Sequence, residues 1–214
     1  ANEVTVLNAT VFHAETLLEG LPAADAPALG RLRVLQIGAS TVTERLRRLI
    51  LQRITPNLYV RYATNETGLI SIAGPDTLFA APGSVGTPLP GVTVQVIDEG
   101  GAVLPPGRAG RIRVQSPAMA DAYADDGAAT AAAFRDGWFL PGDLGMFSPQ
   151  GALTHLGRAD GMMIMNGINI YPAEIERTMA QHPVVREAIA LALRSRKHPD
   201  IPVCAVSLAG PTAW

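Results

Sequence analysis

The sequence has a single cysteine and no excess of charge of either sign. Cys204 is the only cysteine among 214 residues, which excludes an internal disulfide and any zinc site built from cysteine pairs. Such scarcity is typical of proteins in a reducing compartment, so we expect a cytoplasmic protein. The formal net charge of −2 gives no electrostatic reason to bind nucleic acid or an anionic membrane surface.

Long apolar runs are also missing. No stretch approaches the roughly 18 to 20 consecutive apolar residues that a membrane span needs. The N-terminal stretch ANEVTVLNATVFHAE lacks the basic flank and apolar core of a signal peptide. It also lacks an initiator methionine, so we expect this chain to be part of a longer protein.

The residues that are present describe a globular protein rich in turns. Apolar residues make up 48% of the chain and charged residues 17%, which is enough to bury a core. The 21 glycines and 17 prolines together make up a larger share of the chain than the average of roughly 12% for these two residue types. We therefore expect many turns and short strands rather than a helical bundle.

Residues 1–79 predict an α/β arrangement. The pattern indicates a helix over 11–19, an apolar strand over 32–37 and a second helix over about 43–53. Residues 80–159 predict a small antiparallel β subdomain, either a sheet or a barrel.

The second predicted helix has a start signal and a basic face. Thr41 and Glu44 have capping-box spacing, so we expect the helix to begin beside them. Arg45, Arg47 and Arg48 lie on the face opposite its apolar residues. A basic stripe could hold phosphates, but we interpret it as a solvated helix face.

The β subdomain and the C-terminal part have their own signals. The elements predicted for them are strands at 92–98 and 110–116, an alanine-rich helix at 127–134, a hairpin at 144–157 that turns at 149–151, a helix that starts at Pro172, and strands at 185–193 and 202–210. Residues 160–214 thus hold one helix and two strands, which is too little for a complete domain. We expect an incomplete α+β C-terminal domain.

Four stretches, taken together and in this order, resemble the motifs of the adenylate-forming superfamily. That superfamily comprises acyl-CoA synthetases, aryl-acid ligases and nonribosomal-peptide adenylation domains. The stretches are IGAS at 37–40, YATNETG at 62–68, PGDL at 141–144 and GRADGMMIMNGINIYPAEIE at 157–176. Because the similarity runs in register through nearly the whole chain, chance agreement is a poor explanation.

The resemblance implies an acyl-CoA-synthetase-like fold and two half-reactions. Residues 1–159 would end a large N-terminal domain, and residues 160–214 would form a hinge and the truncated start of a small C-terminal domain. A carboxylic acid would react with ATP to give an acyl-adenylate, and the thiol of coenzyme A or of a carrier-protein pantetheine would then take the acyl group. ATP or AMP, Mg²⁺ and coenzyme A are the implied cofactors and substrates. Such chemistry depends on positioning the nucleotide and compensating charge at phosphorus.

The YATNETG stretch carries three of the implied nucleotide contacts. Tyr62 matches the aromatic residue that stacks on adenine, and Glu66 matches an acidic Mg²⁺ ligand, which suits a hard cation. Taken alone, Tyr62 would be a buried tyrosine and Glu66 a surface charge. Ala63 replaces the usual glycine, and Asn65 replaces the usual threonine beside the phosphates. The Asn65 amide can still donate a hydrogen bond to a phosphate oxygen.

Asp143 and Arg158 match the two ribose contacts of the superfamily. Asp143 would accept hydrogen bonds from both ribose hydroxyls, although a carboxylate after Gly142 is also a common turn. A hairpin returns its ends to one place, so we expect Asp143 and Arg158 to lie together. His155 stands where relatives have an aliphatic residue against the nucleotide; it either faces the adenosine or is a half-buried histidine on a strand.

The remaining matched positions concern the acyl pocket and the hinge. Gly38 and Ala39 match a backbone turn that lines the acyl and adenine pockets. Asp160 matches the pivot between the two domains, and Gly167 matches a glycine beside the pantetheine tunnel. Ile164 replaces a usual lysine.

Two catalytic parts of the superfamily are not in these residues. The glycine- and serine-rich phosphate loop and the catalytic lysine of adenylation are both missing, so we expect the isolated chain to be inactive or nearly so.

Two other interpretations stay open at this point. A noncatalytic nucleotide-binding or scaffold module would explain Ala63, Asn65, Pro141 and Ile164 as departures from the superfamily pattern. An unrelated α+β enzyme would place Tyr62, Asp143 and Arg158 far apart.

Overall fold

The computed structural model of the protein describes residues 4–22, 26–81, 83–165, 168–193 and 201–208. The helices are α1 (Val11–Gly20), α2 (Glu44–Arg53), α3 (Pro75–Ala80), α4 (Gly127–Ala133) and α5 (Pro172–Met179). The strands are β1 (Val6–Ala9), β2 (Val34–Ile37), β3 (Leu58–Thr64), β4 (Gly68–Ala73), β5 (Ser84–Pro88), β6 (Thr93–Ile97), β7 (Gly110–Gln115), β8 (Phe134–Arg135), β9 (Trp138–Phe139), β10 (Asp143–Phe147), β11 (Leu153–Arg158), β12 (Met163–Met165), β13 (Ile168–Ile170), β14 (Val185–Leu193) and β15 (Ile201–Leu208).

One sheet joins the two parts expected within residues 1–159. β1, β2 and β3 pair in parallel, as an α/β arrangement requires, whereas the strands that follow pair antiparallel. Within the described ranges this sheet has eleven strands. β5 pairs with β4 on one side and with β11 on the other. The predicted change from α/β to antiparallel structure is confirmed, but antiparallel pairing already begins with β4, within residues 1–79, and β5 makes the two parts continuous.

The core of the α/β part lies on one face of the sheet. Leu35 and Ile37 of β2 alternate with Gln36, and they pack with Leu46 and Ile50 of α2 in one buried cluster. This follows from the strand period of two and the helix spacing of four, which place these side chains on facing surfaces. The opposite face of β2 and β3 is free of these helices.

A second cluster supports the antiparallel part. Its fully buried members include Ile70 of β4, Ile112 and Val114 of β7, and Leu153 of β11. Tyr62 of β3 lies at the edge of the same cluster. The cluster therefore packs behind the ends of β3, β10 and β11.

The start of α2 differs from the prediction. Thr43, not Thr41, is the N-cap residue, and its hydroxyl accepts a hydrogen bond from the Leu46 amide. The predicted capping box of Thr41 and Glu44 is therefore wrong. The Glu44 carboxylate instead bonds the guanidinium groups of Arg47 and Arg48, at 2.6 Å and 2.8 Å.

We expect Thr43→Ala to reduce the free energy of unfolding by about 1 kcal/mol, because it leaves an amide at the start of α2 without its acceptor. Thr41→Ala is the matched control, since Thr41 lies outside the helix and is exposed. Chemical denaturation of both variants measures the difference. Equal stabilities for the two variants would contradict the assigned cap.

The C-terminal part contains the elements that its sequence predicts. α5 starts at Pro172, and β14 and β15 pair antiparallel. β12 and β13 pair antiparallel ahead of α5. No helix in the described part of the chain is long and apolar enough to span a bilayer. The division of the chain into domains at residue 160 stays a prediction.

Candidate nucleotide site

A cleft opens where β3, β10 and β11 end on the sheet. It has a volume of about 440 Å³. Its lining residues are Ala63, Thr64, Asn65, Glu66, Tyr123, Phe139, Leu140, Pro141, Asp143 and Arg158. Four of the six predicted nucleotide contacts therefore share one cleft, and the other two, Tyr62 and His155, lie directly behind it.

Asp143 and Arg158 are held together by the hairpin, as predicted. They are direct partners in the antiparallel pairing of β10 with β11. Gly142 has φ +78°, a left-handed conformation that favours glycine, and a Cβ at this position would lie 3.0 Å from Nη2 of Arg158. The Arg158 guanidinium donates to the carbonyl oxygen of Pro141 at 2.6 Å and lies 3.5 Å from the Asp143 carboxylate.

The Asp143 carboxylate is buried within a small polar network. Asp143 is only 6% exposed, and its Oδ2 accepts a hydrogen bond from the Tyr62 hydroxyl at 2.5 Å. Its Oδ1 lies 3.5 Å from Nε2 of His155. Burial alone would raise the pKa of Asp143, but the hydrogen bonds from His155 and Tyr62, with the charge of Arg158, hold that pKa below its ordinary value. The site thus retains a carboxylate.

Tyr62 lies behind the carboxylate and has little open surface. It is 8% exposed, and its ring centroid lies 5.3 Å from that of His155. Burial, followed by the charge of Asp143 and the bond to it, raises the pKa of Tyr62, so the hydroxyl stays a donor. Stacking of Tyr62 on adenine stays a prediction. The contact with Asp143 is a role that the motif did not indicate.

His155 is turned inward. Its side chain is 27% exposed and meets Tyr62 and the cleft-lining Asp143, but it does not line the cleft itself. That it faces the adenosine stays a prediction. The alternative, a half-buried histidine on a strand, describes its position.

Glu66 is fixed by a residue that sequence reasoning missed. The Tyr123 hydroxyl donates to Oε1 of Glu66 at 2.7 Å. This bond, more than burial or the charge of Glu66, raises the pKa of Tyr123. The two residues are 57 positions apart with no common periodicity, so the sequence offered no signal for the pair.

The Glu66 carboxylate fits the ligand chemistry of magnesium. A carboxylate has about four lone-pair positions, so the bond from Tyr123 leaves acceptor capacity for a cation. Among the residues that the structure describes, no three His, Cys, Asp or Glu side chains form a metal-binding group. Mg²⁺ is commonly held by one or two carboxylates with substrate phosphates and water, so a single carboxylate in this cleft is compatible with that chemistry.

The predicted acyl-pocket turn follows β2. Ala39 has φ +70°, an uncommon left-handed conformation for a residue with a side chain. The side chain of Arg61 lies across Gly38. The turn is confirmed as a backbone feature, and its contact with an acyl group stays a prediction.

The roles predicted for the two hinge-side residues, Asp160 and Gly167, stay untested. Asp160 lies in a short 3-10 helix, Ala159–Gly161, directly after β11, and its Oδ1 is 3.6 Å from Nε of Arg158. A pivot at Asp160 stays a prediction. Gly167 lies outside the described residues.

We expect Tyr62→Phe to lower the free energy of unfolding by about 1.5–3 kcal/mol at pH 7, because a buried hydrogen bond to a charged group is lost. The bond lowers the folded-state pKa of Asp143, so its contribution is present above the unfolded pKa and is lost as the pH falls through the folded pKa. The difference between wild type and variant should therefore shrink toward pH 3. Tyr59→Phe on the same strand is the control, and unfolding at several pH values is the measurement. A pH-independent difference would contradict the role of Asp143.

Comparison with known proteins shows which family this chain belongs to. The profile of the AMP-binding enzymes matches residues 1–124. The indoleacetate–CoA ligase of Aromatoleum aromaticum is 32% identical over 178 residues, which cover 83% of this chain and 35% of that ligase. The 2-succinylbenzoate–CoA ligase of Bacillus mycoides is 31% identical over 208 residues, which cover 97% of this chain and 42% of that ligase. The chain thus spans less than half the length of these relatives.

Solved structures agree with the sequence relatives. The amide bond synthetase McbA from Marinactinospora thermotolerans matches with a TM-score of 0.90 at 27% identity, over 98% of this chain and 42% of that one. The o-succinylbenzoate CoA synthetase from Bacillus subtilis, solved with its acyl-adenylate intermediate, matches with a TM-score of 0.84 at 28% identity, over 99% of this chain and 43% of that one. The expected acyl-CoA-synthetase-like fold is confirmed, and the contacts of Asp143 with Tyr62 and Arg158 exclude an unrelated fold. The chain belongs to the AMP-binding enzymes of the adenylate-forming superfamily.

Proposed function

We propose that this chain forms the nucleotide site of an ATP-dependent acid–thiol ligase. The observation that carries the proposal is the convergence of Asn65, Glu66, Asp143 and Arg158 on one cleft. An acidic group, an amide and a guanidinium at one opening suit a molecule with ribose hydroxyls, phosphates and a divalent cation. The CoA ligases among the relatives support the same reaction class.

The Asp143 carboxylate would accept hydrogen bonds from the ribose hydroxyls. Its bond from Tyr62 is short, whereas its contacts with Arg158 and His155 are both 3.5 Å long. Hydrogen bonds weaken toward that distance, so ribose hydroxyls can replace the two long contacts at small cost. Tyr62 would meanwhile keep the carboxylate oriented.

Glu66 and Asn65 would act at the phosphates. Glu66 would hold Mg²⁺, which when bound would neutralise phosphate charge during adenylation. The Asn65 amide would donate to a phosphate oxygen in place of a hydroxyl. The protein's part of the reaction is then to orient the α-phosphate toward a carboxylic acid that lies by the Gly38 turn.

The second half-reaction would transfer the acyl group to a thiol. Coenzyme A is the acceptor that the relatives' names favour, and a carrier-protein pantetheine is the other thiol of the same chemistry. We also propose a cytoplasmic location, on the single cysteine of the chain.

A noncatalytic nucleotide-binding module is the second candidate. Ala63, Asn65 and Pro141, which depart from the superfamily pattern, all line the cleft. These departures are therefore in the site itself. Such a module would bind the nucleotide without forming an acyl-adenylate.

Titration calorimetry with AMP tests the proposed site, and GMP is the control for the base. We expect saturable AMP binding by the chain; no heat with AMP would contradict both candidates. Pyrophosphate release with a panel of carboxylic acids then separates them. We expect little release from this chain, which has no phosphate loop, and release from a longer protein that contains it. A longer protein that binds AMP but releases no pyrophosphate with any acid would favour the noncatalytic module.

A further inference from the structure

Arg61 of β3 occupies the surface beside the predicted acyl pocket. A Cβ built on Gly38 would lie 2.6 Å from Cγ and 2.8 Å from Nε of Arg61. The arginine stem therefore fills the space that a side chain at position 38 would take. Gly38 permits this arrangement because it has no side chain, and any larger residue would displace the guanidinium.

The sheet register explains how Arg61 reaches this position. β2 and β3 are parallel, with Ile37 beside Val60, so Gly38 and Arg61 are the next pair along the two strands. Val60 points into the core beneath α1 and α2, and strand alternation sends Arg61 to the opposite face. Arg61 thus lies on the open side of the sheet, at the ends of the parallel strands.

Arg61 is also close to the nucleotide cleft. Ala63, two residues further along β3, lines that cleft, and two residues of a strand span about 7 Å. An arginine side chain is about as long as that separation. Nε of Arg61 itself lies over Gly38, so the guanidinium adjoins the turn where we propose that the non-reacting end of an acid extends.

The charge of Arg61 is not compensated within the described part of the chain, where no ion pair or hydrogen bond reaches its guanidinium. The residue is half-buried. A guanidinium stays charged, presents five donors in a fork, and suits a planar carboxylate or a phosphate. A cation of this kind beside an acyl pocket disfavours purely apolar acids because they would desolvate it without replacing its hydrogen bonds.

We propose that Arg61 selects carboxylic acids that carry a second anionic group, such as dicarboxylic acids. The inference rests on the proposed function, because it assigns the substrate class of the same site. The carboxylate that is adenylated faces the phosphates at Asn65 and Glu66, and the second anion pairs with Arg61 beside Gly38. A charge-assisted, two-point hydrogen bond to a guanidinium fixes the far end of the acid.

Stable acyl-sulfamoyl adenosines provide the probes for this inference. Succinyl, glutaryl, adipoyl and terephthaloyl forms, each ending in a carboxylate, are compared with twins that end in a neutral carboxamide. Calorimetry measures the ratio of the two dissociation constants within each pair. For the best-fitting length we expect the carboxylate to bind about 10-fold to 100-fold more tightly than its twin. AMP is titrated in parallel as a check on the nucleotide site.

Variants of Arg61 complete the test. In Arg61→Met the carboxylate and carboxamide twins should bind equally well, so the ratio of their dissociation constants should fall to about 1, while AMP affinity stays unchanged. Arg61→Lys should restore part of the preference for the carboxylate. Arg45→Met is the matched control, since Arg45 lies on α2 beneath the other face of the sheet. Normal AMP binding with no carboxylate preference at any length, or a preference that survives Arg61→Met, would overturn the inference and leave the proposed function standing. Absence of AMP binding would overturn both.

Discussion

Replacing Asp143 with alanine is expected to weaken AMP binding at least about 100-fold, because the two proposed hydrogen bonds from ribose to a charged acceptor would be lost together. The Tyr62 hydroxyl would also lose its acceptor in a buried position. An unsatisfied buried donor costs about 1–3 kcal/mol, so the variant should unfold at lower denaturant concentration as well. Calorimetry with AMP and chemical denaturation measure the two effects.

Asp143→Asn separates the loss of binding from a loss of fold. The amide keeps an oxygen for Tyr62 and nearly the same shape, but it removes the negative charge and one acceptor oxygen. We expect it to be folded and to bind AMP about 10-fold to 100-fold more weakly than the wild type. Asp121→Ala, on an exposed loop near the cleft, is the charge-matched control. Wild-type AMP affinity in a folded Asp143→Asn protein would remove Asp143 from the site.

The parts of the site that the sequence predicted are those set by local structure. Asp143 and Arg158 are 15 positions apart on the two strands of one hairpin, so the hairpin alone predicted that they lie close together, although their direct pairing also needs the bulge between Leu144 and Gly145. Gly142 marked the turn for the same reason. The resemblance singled out these two residues, and the local rules of the hairpin predicted their proximity.

The parts that could not be predicted depend on tertiary contacts. Tyr123 reaches Glu66 from a loop that no periodicity relates to β3. Thr41 and Thr43 are both suitable caps, and only the path of the chain into α2 decides for Thr43. The contact of Arg61 with Gly38 needs the register of β2 against β3, which sequence patterns alone do not supply. The resemblance supplied residue types for the site but not these neighbours.

The position of β5 connects the fold to the site. Tyr62 and Glu66 belong to the β3–β4 part of the sheet, whereas Asp143 and Arg158 belong to β10 and β11. β5 lies between β4 and β11, so it sets the distance between the two groups. The Ser84 hydroxyl of β5 donates to the Leu153 carbonyl oxygen of β11 at 2.9 Å and accepts from the Gly86 amide. A disturbance of β5 should therefore reach both stability and nucleotide binding.

Gly86→Ala is expected to lower the free energy of unfolding by about 3 kcal/mol or more, the largest effect on stability that we predict. Gly86 has φ +92°, and a Cβ there would collide with the Ile72 carbonyl group in β4. Because that obstacle is backbone in a paired strand, the clash is relieved only by separating β5 from β4. AMP affinity should fall as well, since β11 and Arg158 would move with β5. Thermal and chemical unfolding, with calorimetry on any folded protein, measure both effects.

Gly83→Ala is the matched control, because Gly83 has a similar φ of +85° but open space where its Cβ would lie. It should cost only the strain of the left-handed conformation, about 1–2 kcal/mol, and leave AMP affinity unchanged. The comparison therefore isolates the backbone collision from the conformational strain that the two glycines share. If both variants lost the same stability, close packing of β5 against β4 would not be what holds the two halves of the site in register.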